Sequence, residues 1–380
     1  MRLPSRLAFL FAAAVPALAE APPQSMAGLL QPFVESHTLA GAVVLVAGKE
    51  RVLTLEAAGW ADIAAHQPMK TDALFWIASM SKPITATALM MLVDEGRVNV
   101  DDPVEKYLPE FKGQMFVAEK SGDHAMLKKP PHPITVRQVL SHTSGLTPRT
   151  PLEPQIDILG LRENVWSYAM LPLKHEPGSK YEYSNGGINT AGRIVEVVSG
   201  MKFEQFLDGR LFAPLGMKDT TFWPTAAQLG RLAKSYKPDA AKTGLEETTI
   251  NQLTYPLDNQ SRGPCPAGGL FSTATDLALF CRMILNGGEA EGRRYLSEAA
   301  VKQMTSTQTG DLPTTYGFGW STDQQPGVTF GHGGAYSTNM RIDPGHGIVT
   351  VFMVQHAGWP SDGKSIQGRF HNAALRVFGK

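Results

Sequence analysis

Strand-like text stands at both ends of this chain and helix-like text fills the middle. Near the start, Gly41-Ala-Val-Val-Leu-Val-Ala47 is a short β-branched run. Gly48-Lys-Glu-Arg51 and Val52-Leu-Thr-Leu-Glu-Ala57 follow, and the pair reads as a hairpin. Near the end come four more strand-like pieces: Tyr316-Gly-Phe-Gly-Trp320, Val328-Thr-Phe330, Asn339-Met-Arg-Ile342 and Ile348-Val-Thr-Val-Phe-Met-Val354. The last two are joined by Asp343-Pro-Gly-His-Gly347, the link of a further hairpin. Strands so far apart, with helices between them, are accommodated by one antiparallel sheet closed by distant segments and carrying a helical insertion. The expected class is therefore α/β in the α+β sense. No internal repeat at a period of 20–50 residues argues for a solenoid.

The middle supplies the helices. Ser79 to about Glu95 is strongly helical, and Gly96 stands where a C-terminal cap belongs. Thr135–Leu140, Gly187–Ser199 (closed by Gly200), 203–212 and Thr275–Leu285 are also helical in pattern, and Asp101–Pro109 reads as a turn with a short helix. Residues 112–133 are polar without periodicity and read as an inserted surface loop. Residues 223–265 read as loop-rich. The expected organisation is one domain over 20–380, with a helical subdomain over roughly 80–265.

Composition narrows the classes of function. Lys+Arg and Asp+Glu are balanced at 35 each, so no net field draws in nucleic acid or an anionic membrane. A small neutral or mixed substrate suits that balance. Met1-Arg-Leu-Pro-Ser-Arg6 is a short positive start, Leu7 to Ala19 is apolar, and Ala17-Leu-Ala19 is a small-x-small cleavage pattern. Together they read as a signal peptide over 1–19, so the expected location is periplasmic or secreted. No Cys follows the cleavage site to take a lipid, and no segment reads as a membrane span. The two cysteines, Cys265 and Cys281, form no metal-ligand pattern. An exported protein could join them, but Cys281 lies in an apolar helical stretch where a buried free thiol fits better.

Three elements carry chemistry. Ser79-Met-Ser-Lys82 sits at a helix start, where residues three apart share a face, so Oγ and Nζ can meet. A serine hydroxyl needs a base, and a lysine serves only if burial or a neighbouring cation lowers its pKa. Ser199-x-x-Lys202 and Ser361-x-x-Lys364 repeat the spacing, but the first abuts a cap glycine and the second lies in a Pro/Gly/Asp loop. Tyr183-Ser-Asn185 occurs once. A phenol beside a lysine can accept the serine proton as phenolate, and an Asn can hold both the lysine and a substrate carbonyl. The plainer alternative is a core tyrosine before an Asn-Gly turn. His332-Gly-Gly334 follows a strand, so a ligand can approach the backbone, and the Ala335 N–H could pair with that of Ser79 as an oxyanion hole. The plainer alternative there is a glycine-rich turn. No Gly-x-Ser-x-Gly elbow and no His-Glu-x-x-His zinc motif is present.

Ser-x-x-Lys, Tyr-x-Asn and Lys/His-x-Gly in this order resemble the serine β-lactamase and penicillin-binding-protein superfamily. Leu140-Ser-His-Thr-Ser-Gly-Leu146, Pro214-Leu-Gly-Met217, Pro266-Ala-Gly-Gly-Leu-Phe-Ser-Thr-Ala274 and Asp276 extend the likeness from about residue 25 to the end. Class C β-lactamases, the esterases related to them, and D-alanyl-D-alanine carboxypeptidases and D-aminopeptidases are the nearest groups. The resemblance implies a cleft between an antiparallel-sheet half and a helical half, an acyl-enzyme on Ser79, and proton transfer by Lys82 and Tyr183. It implies substrate contacts at Asn185, His332, Gly333, Gly334 and Ala335, and neither metal nor organic cofactor. The expected substrate is a small ester or amide; the oligomeric state stays open. His332 stands where β-lactamases carry lysine, a fixed anchor for a substrate carboxylate. A simple ester, lacking that carboxylate, is therefore the expected substrate, with β-lactamase or D-alanyl-D-alanine carboxypeptidase activity as the alternative. A non-catalytic penicillin-binding sensor is the alternative of another class.

Overall fold

The run 42–47 is continuously apolar because its strand is covered on both faces. In the computed structural model, which describes residues 25–322 and 329–380, this strand lies inside a seven-stranded antiparallel sheet. Its strands are β1 (Gly41–Gly48), β2 (Val52–Asp62), β3 (Gln67–Pro68), β4 (Ser321–Thr322), β5 (Phe330–Gly333), β6 (Asn339–Asp343) and β7 (Ile348–Met353), in the spatial order β4-β5-β6-β7-β1-β2-β3. The N-terminal hairpin and the C-terminal strands join where β1 pairs with β7, Val43 opposite Met353 and Gly48 opposite Ile348. The sheet closed by distant segments is therefore present, and the expected fold class holds.

Alternation along β1 sorts its side chains to two layers. Ala42, Val44 and Val46 face a smaller apolar cluster built with Phe352, Val354 and the C-terminal helix Ile366–Phe378. Val43, Leu45 and Ala47 face the larger core, which takes in α1 (Ser81–Asp94), α2 (Asn185–Ser199) and α3 (Ala274–Leu285). α1 is buried on all sides from Ser81 to Leu92, so its residues show little amphipathic contrast. It ends where Gly96 turns left-handed (φ 69°). α2 begins at Asn185, two residues before its pattern starts, because the Ser184 hydroxyl accepts the Gly187 N–H and caps the first turn.

Several local expectations change. Within 112–133, Phe116–Ser121 and His124–Lys128 form an exposed hairpin rather than a loop. Both faces are largely solvated, so no alternation marks its strands in the text. The 223–265 stretch holds a short helix, Ala226–Leu229, and the strand pair Ser235–Pro238 with Leu245–Thr248. Residues 316–320 are not a strand. A Cβ at Gly317 would lie 2.1 Å from the Met304 carbonyl, and Gly319 is left-handed and close to the Lys82 carbonyl, so these glycines pack a turn and the strand begins at Ser321. The second C-terminal strand starts at Phe330; Val328 lies outside the described residues, as do residues 1–19, where the leader is expected. Cys265 and Cys281 are both buried and free, Cys281 resting on the Met340 sulfur. Among the described residues, no helix is long and apolar enough to cross a membrane.

Candidate active site

Ser79 sits in a 3₁₀ turn, Ala78–Met80, and α1 starts at Ser81 just after it. The turn is bent by Ala78, whose φ of 46° is left-handed despite its Cβ. Such a conformation costs about 1–3 kcal/mol and persists only where its surroundings enforce it. Here the Ser81 hydroxyl donates to the Ala78 carbonyl (2.7 Å), and the Ser81 oxygen accepts the Leu270 N–H (3.3 Å). Ser79 is left half-buried between buried Ala78 and Met80.

Lys82 is fully buried, with no carboxylate among its contacts. Its Nζ lies 3.2 Å from Ser79 Oγ, 2.8 Å from Asn185 Oδ1 and 2.7 Å from the Ala267 carbonyl. Desolvation pushes its pKa down from 10.5 to about 7. The amine also stands 4.6 Å from the centre of the Tyr183 ring. Tyr183 is 37% exposed, but its phenol end is hemmed in by the site. Burial raises the phenol above its ordinary range, and a hydrogen bond with Ser79 pulls the other way without reversing the shift. The group that titrates near neutrality is thus the amine, and the expected phenolate is not favoured.

An aromatic and imidazole cluster backs Tyr183. His142, Tyr316 and His332 have ring centres 4.4, 6.5 and 6.2 Å from it. His332 Nδ1 lies 2.7 Å from the Gly333 carbonyl, which can only accept, so Nδ1 carries the proton. Nε2 then accepts the Tyr316 O–H at 2.9 Å. Burial, then the Lys82 charge, press His332 down to about 3, so the ring is neutral with both nitrogens engaged. His142 is also neutral, held well below its ordinary range by burial first and Lys82 next. It accepts the Ser184 N–H at Nδ1 (3.2 Å), which puts its proton on Nε2.

The turn after β5 is lashed to the segment before Ser79. The Gly334 N–H donates to the Thr338 carbonyl (2.8 Å), and the Thr338 hydroxyl donates to the Ile77 carbonyl (3.4 Å). A Cβ on Gly334 would sit 2.6 Å from that same Ile77 oxygen, so the close approach requires glycine. Gly333 and Ala335 flank it and are exposed. Lys82 therefore touches Ser79, Tyr183 and Asn185, and the turn that carries Gly333, Gly334 and Ala335 is held against Ile77, two residues before Ser79. His332 sits behind them as a support for the strand, with no nitrogen left to hold a substrate. His142, Tyr316 and Ala267 went unassigned in the sequence. His142 lies within the quoted Leu140–Leu146 text, and Ala267 within Pro266–Ala274; Tyr316 gives no signal beyond its burial.

A buried lysine at a serine, a tyrosine over that lysine, and a glycine strand alongside define a serine hydrolase of the penicillin-recognising type. The chain belongs to the Beta-lactamase family, whose model matches residues 26–373. Protein Rv1367c of Mycobacterium tuberculosis is 32% identical over 85% of this chain and 87% of its own length. Esterase EstB of Burkholderia gladioli is 28% identical over 85% of this chain and 88% of its own. Unliganded simvastatin synthase (LovD) of Aspergillus terreus superposes with a TM-score of 0.78 at 21% identity, covering 94% of this chain and 99% of that one, and shares the fold.

Proposed function

We propose that this enzyme is a carboxylesterase that works through an acyl-enzyme on Ser79. The observation that carries the reading is the 3.2 Å contact between Ser79 Oγ and the buried amine of Lys82. A neutral amine has two N–H bonds and one lone pair. With its N–H groups on Asn185 and Ala267, the lone pair is left for the Ser79 proton. As Oγ attacks the ester carbonyl carbon, that proton passes to Lys82, and the new oxyanion is met by the N–H groups of Ser79 and Ala335. The intermediate collapses to acyl-Ser79; the leaving alkoxide takes its proton from the Tyr183 phenol, which is refilled from the Lys82 ammonium. Water then attacks the acyl carbon, losing a proton to the same pair, and the acid leaves as Ser79 is reprotonated.

Ester selectivity is supported by His332. Its ring is neutral and its nitrogens are occupied, so this position offers no cation for a substrate carboxylate. The esterase named among the relatives agrees with that reading. The three-part text of residues 1–19 supports work outside the cytoplasm. The test is a panel of short-chain p-nitrophenyl esters, nitrocefin and a D-alanyl-D-alanine peptide, with Ser79→Ala as control. Short esters should be turned over fastest, and Ser79→Ala should lose all three activities. Nitrocefin turnover well ahead of the esters would falsify the ester assignment, and full activity in Ser79→Ala would remove the nucleophile.

A further inference from the structure

One of the two acceptors that hold the Lys82 amine, the Ala267 carbonyl, belongs to a turn and not to a helix or strand. What fixes that carbonyl is the peptide just before it. The Pro266 carbonyl accepts the Thr85 hydroxyl at 2.7 Å, and the Ala267 N–H donates to Asn189 Oδ1 at 3.0 Å. Both bonds fall on the single peptide 266–267, one from each side. Thr85 is three residues after Lys82 on α1, and Asn189 is four after Asn185 on α2. At that spacing a helix presents both side chains on one face. Each helix thus supplies a lysine-site residue from one turn and a hold on the same peptide from the next. Gly192 allows the approach: a Cβ there would lie 2.4 Å from the Pro266 ring.

The holding amide is itself oriented. Asn189 Nδ2 donates to Asn164 Oδ1 (3.0 Å), and Asn164 Nδ2 donates to Glu153 Oε1 (2.5 Å). Glu153 Oε1 also receives the Tyr168 hydroxyl (2.9 Å), and Oε2 receives the Thr150 N–H (2.8 Å). Thr85, Asn189, Asn164 and Glu153 are all buried. With acceptors at the Glu153 end, Asn164 presents NH₂ to Glu153 and oxygen to Asn189. Asn189 then has only its oxygen left for Ala267. A flip at either amide would set donor against donor and acceptor against acceptor among buried groups, where an unmet hydrogen bond is costly.

We infer that Thr85 and Asn189 are positioning residues for the base, clamping the 266–267 peptide so that the Ala267 carbonyl meets Lys82, with Asn164 and Glu153 locking the Asn189 amide. This rests on the reading of Lys82 as the base. The test measures kcat, KM, Tm and the pH dependence of kcat/KM on p-nitrophenyl acetate for the parent enzyme, Asn189→Leu, Thr85→Val and Thr85→Ser. Asn189→Leu and Thr85→Val should lose about tenfold or more in kcat with KM within about twofold, because a slack turn misplaces the amine. Their acid limb should move down by about half a unit, since the ammonium loses an acceptor that favours it. Thr85→Ser, which keeps the hydroxyl, should recover most of the Thr85→Val loss. If Asn189→Leu does not fold, Thr85→Val and its Ser rescue decide alone. A parental profile with no limb near pH 7 removes Lys82 as base. A parental limb near 7 that the folded variants keep, with kcat within about twofold and only Tm reduced, overturns the clamp and leaves Lys82 in place.

Discussion

Asn185→Asp tests the electrostatics of the site most directly. An amine with the ordinary pKa of 10.5 is neutral in roughly one molecule in three thousand at pH 7. Buried Lys82, pushed down to about 7, is neutral in about half, so burial raises the supply of free base about a thousandfold. An aspartate at 185 would put a carboxylate oxygen where the amide oxygen now stands, 2.8 Å from Nζ. An opposite charge at such range favours the ammonium by roughly 1–3 pKa units. The acid limb of kcat/KM should therefore move from about 7 to between about 8 and 10. At pH 7 the free-base fraction falls roughly 5- to 500-fold, and the loss should shrink as pH rises through the new midpoint. Neither imidazole can imitate this limb, since His332 is held near 3 and His142 well below its usual range. The assay is the initial rate on p-nitrophenyl acetate from pH 5 to 10, corrected for spontaneous hydrolysis, because kcat/KM reports the free enzyme. A uniform drop in rate with the limb still near 7 would refute the reasoning, since Asn185 would then touch substrate without governing the lysine.

Two further outcomes follow from the geometry. If the Ala335 N–H completes the oxyanion hole as proposed, Gly334→Ala should cut kcat on the same ester by about 10²–10³, because its Cβ falls 2.1 Å from Thr338 Oγ1 and 2.6 Å from the Ile77 carbonyl and must push the turn before Ala335 out of place. Arg262→Leu should cost about 3–5 kcal/mol in urea unfolding, because Asp157, bonded to Arg262 Nε at 2.7 Å, stays buried without its cation; pairing it with Asp157→Leu should recover much of that loss.

The text of the chain showed most of what is local. The apolar run of β1, the caps of α1 and α2, and the order of the three motifs could each be read from a few neighbouring residues. Ser79 and Lys82 meet as their spacing implied, and Tyr183 and Asn185 reach Lys82 as the family resemblance implied. What stayed hidden depends on partners far away in the chain. Tyr316–Trp320 reads as a strand until the Met304 and Lys82 carbonyls are seen against its glycines. The role expected of His332 changes once Tyr316 takes Nε2, a contact that no spacing rule specifies. Nothing near Glu153 in the text connects it to Lys82, since the link runs through three other segments. Burial, which holds the Tyr183 phenol above its ordinary range and so weighs against a phenolate, is a property of the packed molecule that no stretch of text displays.

Joining β1 to β7 sets a condition on how this molecule assembles. Partners such as Val43 and Met353 are separated by most of the polypeptide. The central pair of the sheet cannot register until the last strand has emerged, whether from the ribosome or from a translocation channel. Such a high contact order makes closure slow and leaves strand edges unpaired in the interval. A chain that stops before residue 348 has no strand to set against β1, and until residues 348–353 are available that edge of the hairpin stays open to the wrong partner.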